Sequence, residues 1–308
     1  MECDSAPTAI FSELYQNQVS YLAQSLLSVL GTMESAIWGP RMPMRMGFQS
    51  LVFIPVLFCV QQRPCAYAQQ GEFVPVANAP LQTARIVETF VSRNQERAQS
   101  LHGYVGTRVY QVEYHGFPGG RTAEMIVDVK YRSPETKEFT VRSSTGSIVI
   151  VERVFKKLLQ SEKDASSREA QKRTALNSDN YSFTQVGYEN TPSGLMYVLA
   201  VQPKRKDKFL YEGRIWVDAR AFAVARLEPQ PAKNPSFWTK SSVIEQVYTP
   251  VGEFWLPARN RSVGEIRLGG TAELTIQYNE YRLVNGDEVN KVSALDSVAP
   301  AGSIHAQR

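Results

Sequence analysis

Cysteine is nearly absent from this chain of 308 residues: there are three, Cys3, Cys59 and Cys65, all ahead of residue 69. From Gln69 onward the protein therefore has no disulfide, no thiol nucleophile and no thiolate metal ligand, and its core alone must hold it together. Histidine is equally scarce, with His102, His115 and His305 making up the full set. His102 falls at a predicted helix end, His115 beside a glycine turn and His305 in a polar tail. None has a second imidazole at ligand spacing, so they read as solvated boundary residues and offer no zinc site. The chain also lacks G-x-S-x-G, a Walker loop and G-x-G-x-x-G. Gly116-Phe117-Pro118-Gly119-Gly120 leads into a strand, so no helix dipole would point at an anion there. Without a nucleophile and base, split carboxylates or a metal cluster, the reading is a protein that is not an enzyme and needs no cofactor or metal.

Long apolar runs are missing too. A membrane-spanning helix needs roughly 20 apolar residues, and the longest largely apolar run here, Phe48 to Val60, has 13 residues, Gln49 and Ser50 among them. That run has Arg41 and Arg45 before it and Ala66-Tyr67-Ala68 after it, the n-h-c order of a secretory signal with cleavage between Ala68 and Gln69. Residues 44–68 are therefore predicted as a signal peptide and residues 1–43 as an upstream extension from a start codon placed too early. The alternative is a genuine extension whose Leu14, Val19, Leu22, Leu26 and Leu30 form one face of a short helix. Lipidation is not expected, because neither Cys59 nor Cys65 has a small residue before it. Three of the 34 basic and four of the 30 acidic residues precede Gln69, leaving 31 against 26. So slight an excess is no nucleic-acid signature. The densest basic stretch, Lys204 to Lys208, reads as a solvated hairpin loop.

After a lead-in of residues 69–80, helical spacing of Ile86, Phe90, Val91 and Leu101 predicts a first helix. The period then switches to two. Strands are predicted over residues 104–114, 122–132 and 139–143, followed by a second helix over 152–173 with Val154, Phe155, Leu158 and Leu159 on one face. The half of this helix from Gln160 to Lys172 has few apolar residues and is expected to lie exposed or fray. Strands over 181–189, 195–201, 209–218, 222–227, 241–248, 254–262 and 272–283 complete the pattern. Residues 285–308 read as a disordered tail. Strands in unbroken succession give an α+β fold with a curved antiparallel sheet, a half-open β-barrel of about ten or eleven strands covered by two or three helices, in one domain over 81–284.

The faces of that sheet supply the candidate site. Ala272, Leu274, Ile276 and Tyr278 alternate with Glu273, Thr275, Gln277 and Asn279, so one face is apolar. Leu195 to Val201 is apolar on both faces and must be covered on both. Three of the four tryptophans, Trp216, Trp238 and Trp255, stand within forty residues of one another, and tryptophan suits either a core or a cleft wall. The candidate lining of an apolar cavity is Leu199, Trp216, Trp238, Leu274, Ile276 and Tyr278.

Tyr211-Glu212-Gly213-Arg214-Ile215-Trp216-Val217-Asp218, Phe222 to Arg226, Pro231 to Trp238 and Gly252-Glu253-Phe254-Trp255-Leu256-Pro257 together resemble bacterial proteins of the outer-membrane lipoprotein-sorting type. These are similar to LolA, LolB and the periplasmic regulator RseB. The resemblance spans most of Leu81 to Leu283. It implies a half-open barrel closed by helices, a periplasmic location and a cavity for acyl chains. Implied partners are lipid acyl chains or a lipidated protein, with an inner- or outer-membrane protein as donor or acceptor. The family's carriers use a cavity arginine, and no position here matches such a motif, so no functional residue is carried over. A signalling or scaffold module of the same fold, binding a protein without carrying lipid, is the alternative.

Overall fold

The computed structural model describes residues 72–75, 81–116, 119–134, 136–207, 209–232, 239–266 and 270–285. The predicted extension, the signal peptide with Ala68 and Gln69, most of the lead-in, all but the first residue of the tail, and Trp238 lie outside the described residues.

Eleven strands make one antiparallel sheet. They are β1 (Glu72–Pro75), β2 (Gly103–Gly116), β3 (Arg121–Arg132), β4 (Thr136–Gly146), β5 (Tyr181–Thr191) and β6 (Gly194–Pro203), then β7 (Tyr211–Asp218), β8 (Val224–Pro231), β9 (Thr239–Val251), β10 (Phe254–Ile266) and β11 (Gly270–Leu283). Their order, β1-β5-β6-β7-β8-β9-β10-β11-β2-β3-β4, leaves the sheet open between β1 and β4. All ten strands expected from alternation are present. The eleventh, β1, comes from the lead-in, where four residues are too few to show a period; its register against β5 runs from Glu72↔Asn190 to Pro75↔Gly187.

Helix α1 (Thr83–Ser100) buries Ile86, Val87, Phe90, Asn94 and Ala98, a stripe one helix face wide. Phe90 meets Phe183 of β5 edge-on at 5.8 Å. Between β4 and β5 the chain runs through α2 (Ile148–Ile150), a π-helical turn over Val151–Phe155, α3 (Lys156–Ala165) and α4 (Arg168–Thr174). The break before α4 falls at Ser167, whose hydroxyl accepts from the Ala170 N–H and caps the new helix. Of the half expected to lie exposed, Gln160, Lys163, Asp164, Ser167, Arg168, Glu169 and Lys172 are exposed, while Glu162, Ala165, Ser166 and Gln171 are buried. Few apolar residues did not mean that every face is exposed, because Glu162 finds charged partners inside.

Alternation divides the sheet as expected. Ile86, Phe90, Phe155 and Leu158 from the helices share one core with Tyr110, Val112, Leu199, Ile215, Leu274 and Ile276 from the inner face. On the outer face Met196, Val198 and Trp216 form a separate small cluster. The doubly apolar β6 is thereby covered on both sides, inside by the helices and outside by Trp216. At β8 and β9 the ladder thins to two pairs, Arg226↔Val247 and Leu227↔Gln246. A groove of about 840 Å³ opens there on the outer face, lined in part by Arg214, Glu228, Val243, Glu245 and Arg261.

Candidate functional site

Of the six residues chosen for a cavity, the structure places four in one core. Leu199, Leu274 and Ile276 are fully buried and Tyr278 is 5% exposed, all in the main core beneath the helices. The register places Leu274 beside Val112, Ile276 beside Tyr110 and Tyr278 beside Arg108. Trp216 does not join them. Its neighbours Ile215 and Val217 face inward, so the period of two turns the indole outward. There it donates from Nε1 to Glu189 Oε2 at 2.7 Å, with the Arg226 guanidinium 3.9 Å from its ring centroid. It is a covered packing residue of the outer face.

A residue that sequence reasoning passed over sits at the centre of the inner face. Arg108 takes an inward position in the alternation Tyr104, Arg108, Tyr110, Val112, Tyr114 along β2 and is 2% exposed. Its Nη1 donates to Glu162 Oε2 at 2.5 Å and to the Tyr110 hydroxyl at 3.2 Å. The Tyr110 hydroxyl donates in turn to Glu162 Oε1 at 3.2 Å. Lys137 Nζ of β4 stands 3.7 Å from the same carboxylate. The guanidinium also lies over Tyr278, 4.9 Å from its centroid, and 5.7 Å from that of Phe139.

This cluster fastens the helical cover to the sheet. Glu162 belongs to α3, where Leu158, Glu162 and Ala165 are the buried residues at helical spacing; Arg108, Tyr110 and Lys137 belong to strands. The sequence signal was present but faint, an arginine inside an apolar alternation and a glutamate inside an apolar stripe. Burial pushes the Glu162 carboxyl up, yet Arg108 and Lys137, with hydrogen bonds from Arg108 and Tyr110, hold it below its ordinary value of 4.5. Burial beside that carboxylate drives the Tyr110 phenol far up, so it stays a donor.

Further along the inner face, Asn260 Nδ2 donates to Gln246 Oε1 at 2.7 Å and Ser262 to Asn260 at 3.2 Å, all three side chains buried. Among the described residues no group of three or more His, Cys, Asp or Glu is placed to hold a metal ion.

No protein-family model matches the chain, and no curated protein matches it significantly. Solved structures do overlap with it. A putative outer-membrane lipoprotein-sorting protein domain from Vibrio parahaemolyticus is 10% identical, with 67% of this chain and 98% of that one covered at a TM-score of 0.31. A DUF1329 family protein from Desulfovibrio piger is 14% identical, covering 68% and 98% at a TM-score of 0.34. A LolA superfamily protein from Nitrosomonas europaea is 10% identical, covering 68% and 97% at a TM-score of 0.30. Overlap at this level leaves function to be argued from the residues of this chain.

Proposed function

We propose that the protein is exported to the periplasm and carries a lipid or lipidated protein by its acyl chains, held between the inner face of the sheet and the helices α1 and α2–α4. The observation that supports this reading most is the buried Arg108–Glu162 pair, which ties the cover to the sheet in the middle of an apolar layer. For a permanent core, apolar residues of the same volume would hold the layers as well or better, because a buried ion pair costs desolvation. In an open state both charges regain water, so the pair narrows the free-energy gap between closed and open. A cover that must lift is served by such a fastening.

Acyl chains supply the compensating term. Each buried CH₂ contributes roughly 0.8 kcal/mol, so a chain of about a dozen yields on the order of 10 kcal/mol before ordering costs. That sum is enough to offset exposure of part of the cover. The same closed arrangement favours a second reading: with Leu199, Leu274 and Ile276 fully buried by the protein's own side chains, the fold also suits a module that binds a protein partner at its surface.

Native mass spectrometry of protein recovered from the periplasm separates the two and tests export at once. Carriage predicts a chain mass beginning at Gln69 with an acyl lipid adduct that chloroform extraction removes. A bare chain that takes up no lipid from vesicles contradicts carriage, and a mass retaining residues before Gln69 contradicts cleavage at Ala68.

A further inference from the structure

One rung of the sheet interrupts the apolar pattern of the inner face. From β7 across to β2, the neighbours in register are Ile215, Leu227, Gln246, Asn260, Ile276 and Tyr110. Two carboxamides therefore stand in the middle of an otherwise apolar and aromatic row. Ile244 and Tyr248, two places to either side of Gln246 on β9, belong to the main core, so the period of two turns the Gln246 side chain inward with them. Both amides are fully buried and Ser262 is 1% exposed. Their hydrogen bonds run one way: the Ser262 hydroxyl donates to Asn260 Oδ1, Asn260 Nδ2 donates to Gln246 Oε1, and Gln246 Nε2 comes last. That nitrogen is buried and has no hydrogen-bond partner among the described residues. Dipoles aligned head to tail polarise one another, and here they end in a donor with nothing to receive it. A buried donor left in that state is costlier than an apolar group of the same shape.

We infer that Gln246 Nε2 is a subsite for a carbonyl oxygen, the ester or amide carbonyl at the root of a cargo's acyl chain. The inference rests on the acyl-carrier reading and adds which atom of the cargo is recognised. A carbonyl is the acceptor that suits this place. It brings no net charge into an apolar layer, whereas an ionised group would need a partner of opposite sign, and none of the register neighbours of Gln246 is charged. The chain that follows the carbonyl has Leu227 to one side and Ile276 to the other, both fully buried and apolar. An ether-linked chain covers the same surface but offers no carbonyl to the nitrogen. Acylated cargo thus makes a bond that the empty protein lacks, and the row selects it over a molecule that is only apolar.

Competition by native mass spectrometry tests this. The purified protein is offered an equimolar mixture of two phosphatidylcholines of equal chain length, one with ester-linked and one with ether-linked chains, which differ only at the two carbonyls. The diacyl lipid is expected to occupy the protein about tenfold more than the dialkyl lipid, as a hydrogen bond to an otherwise unsatisfied donor requires. The variant Gln246→Leu, Asn260→Val, Ser262→Ala removes the whole polar row; it should still take up lipid, at a ratio of about one. Its urea midpoint should equal or exceed that of the unmodified protein, since no polar group of the row is left unpaired. A purely structural role for the row predicts the reverse, a lower midpoint and an ester-to-ether ratio that the variant leaves unchanged, and that result overturns the subsite. Equal occupancy by the two lipids in the unmodified protein also overturns it and leaves acyl carriage standing. Uptake of neither overturns carriage and the subsite together. Where the ester is preferred, a second mixture of the diacyl lipid with an N-hexadecanoyl peptide separates the sources: the more abundant adduct identifies the ester of a lipid or the amide of an acylated chain as the carbonyl held.

Discussion

Glu162→Leu is expected to destabilise the protein by about 3–5 kcal/mol, because it leaves Arg108 and Lys137 buried without their carboxylate. Both cations are close to fully buried, and the lost contacts are the bond from Arg108 at 2.5 Å and the approach of Lys137 at 3.7 Å. The triple variant Arg108→Met, Lys137→Met, Glu162→Leu should recover most of that loss or exceed the starting stability, since no charge then remains to be desolvated. Urea titration decides this: the midpoint should fall in the single variant and return in the triple, with the slope unchanged in both. Failure of the triple variant to recover would mean that the pair stabilises the closed state outright, which removes the argument for a cover that lifts.

The same carboxylate fixes the pH dependence. Its value in the folded protein lies below the ordinary 4.5, so its contribution is fully present above that pH and is lost as pH falls through the folded value. Acid unfolding of the unmodified protein should include this component, and Glu162→Gln should lack it.

Phe155→Ala is the second large effect. Phe155 sits in the π-helical turn that leads into α3, is fully buried, and meets the Tyr110 ring at 6.0 Å between centroids. Removing the ring leaves a cavity between cover and sheet and is expected to cost about 3–5 kcal/mol. Val243→Ala on the outer face, where the side chain is 69% exposed, should stay within about 0.5 kcal/mol. Thermal or urea unfolding of the two variants side by side checks the contrast, and equal losses would contradict the assignment of inner and outer faces.

Much of the fold could be read from residue order because period-two alternation is a local property. Ala272 to Tyr278 announces its buried face through side chains alone, and the neighbours that cover it do not need to be known. The two-sided β6 likewise predicted a second apolar layer, which Trp216 supplies. What stayed hidden depends on pairing across long sequence separations. Arg108 and Glu162 are 54 residues apart, and each in isolation reads as a solvated charge. The sheet order, which sets β11 beside β2 and β4 beside β3, gathers Tyr278, Arg108 and Lys137, and the packing of α3 on the sheet adds Glu162. The assignment of Trp216 to the cavity failed for the opposite reason: grouping tryptophans by sequence distance overrode the parity of its own strand.

Photo-crosslinking with a lipid that carries a diazirine in its acyl chain tests the central claim most directly, when labelled peptides are mapped after uptake. The account predicts labels on inner-face residues of β2, β10 and β11, Leu274, Ile276 and Tyr278 among them, and on the sheet-facing side of α3. Labels confined to outer-face residues such as Val243 or Trp216, with the inner face unmarked, would contradict it.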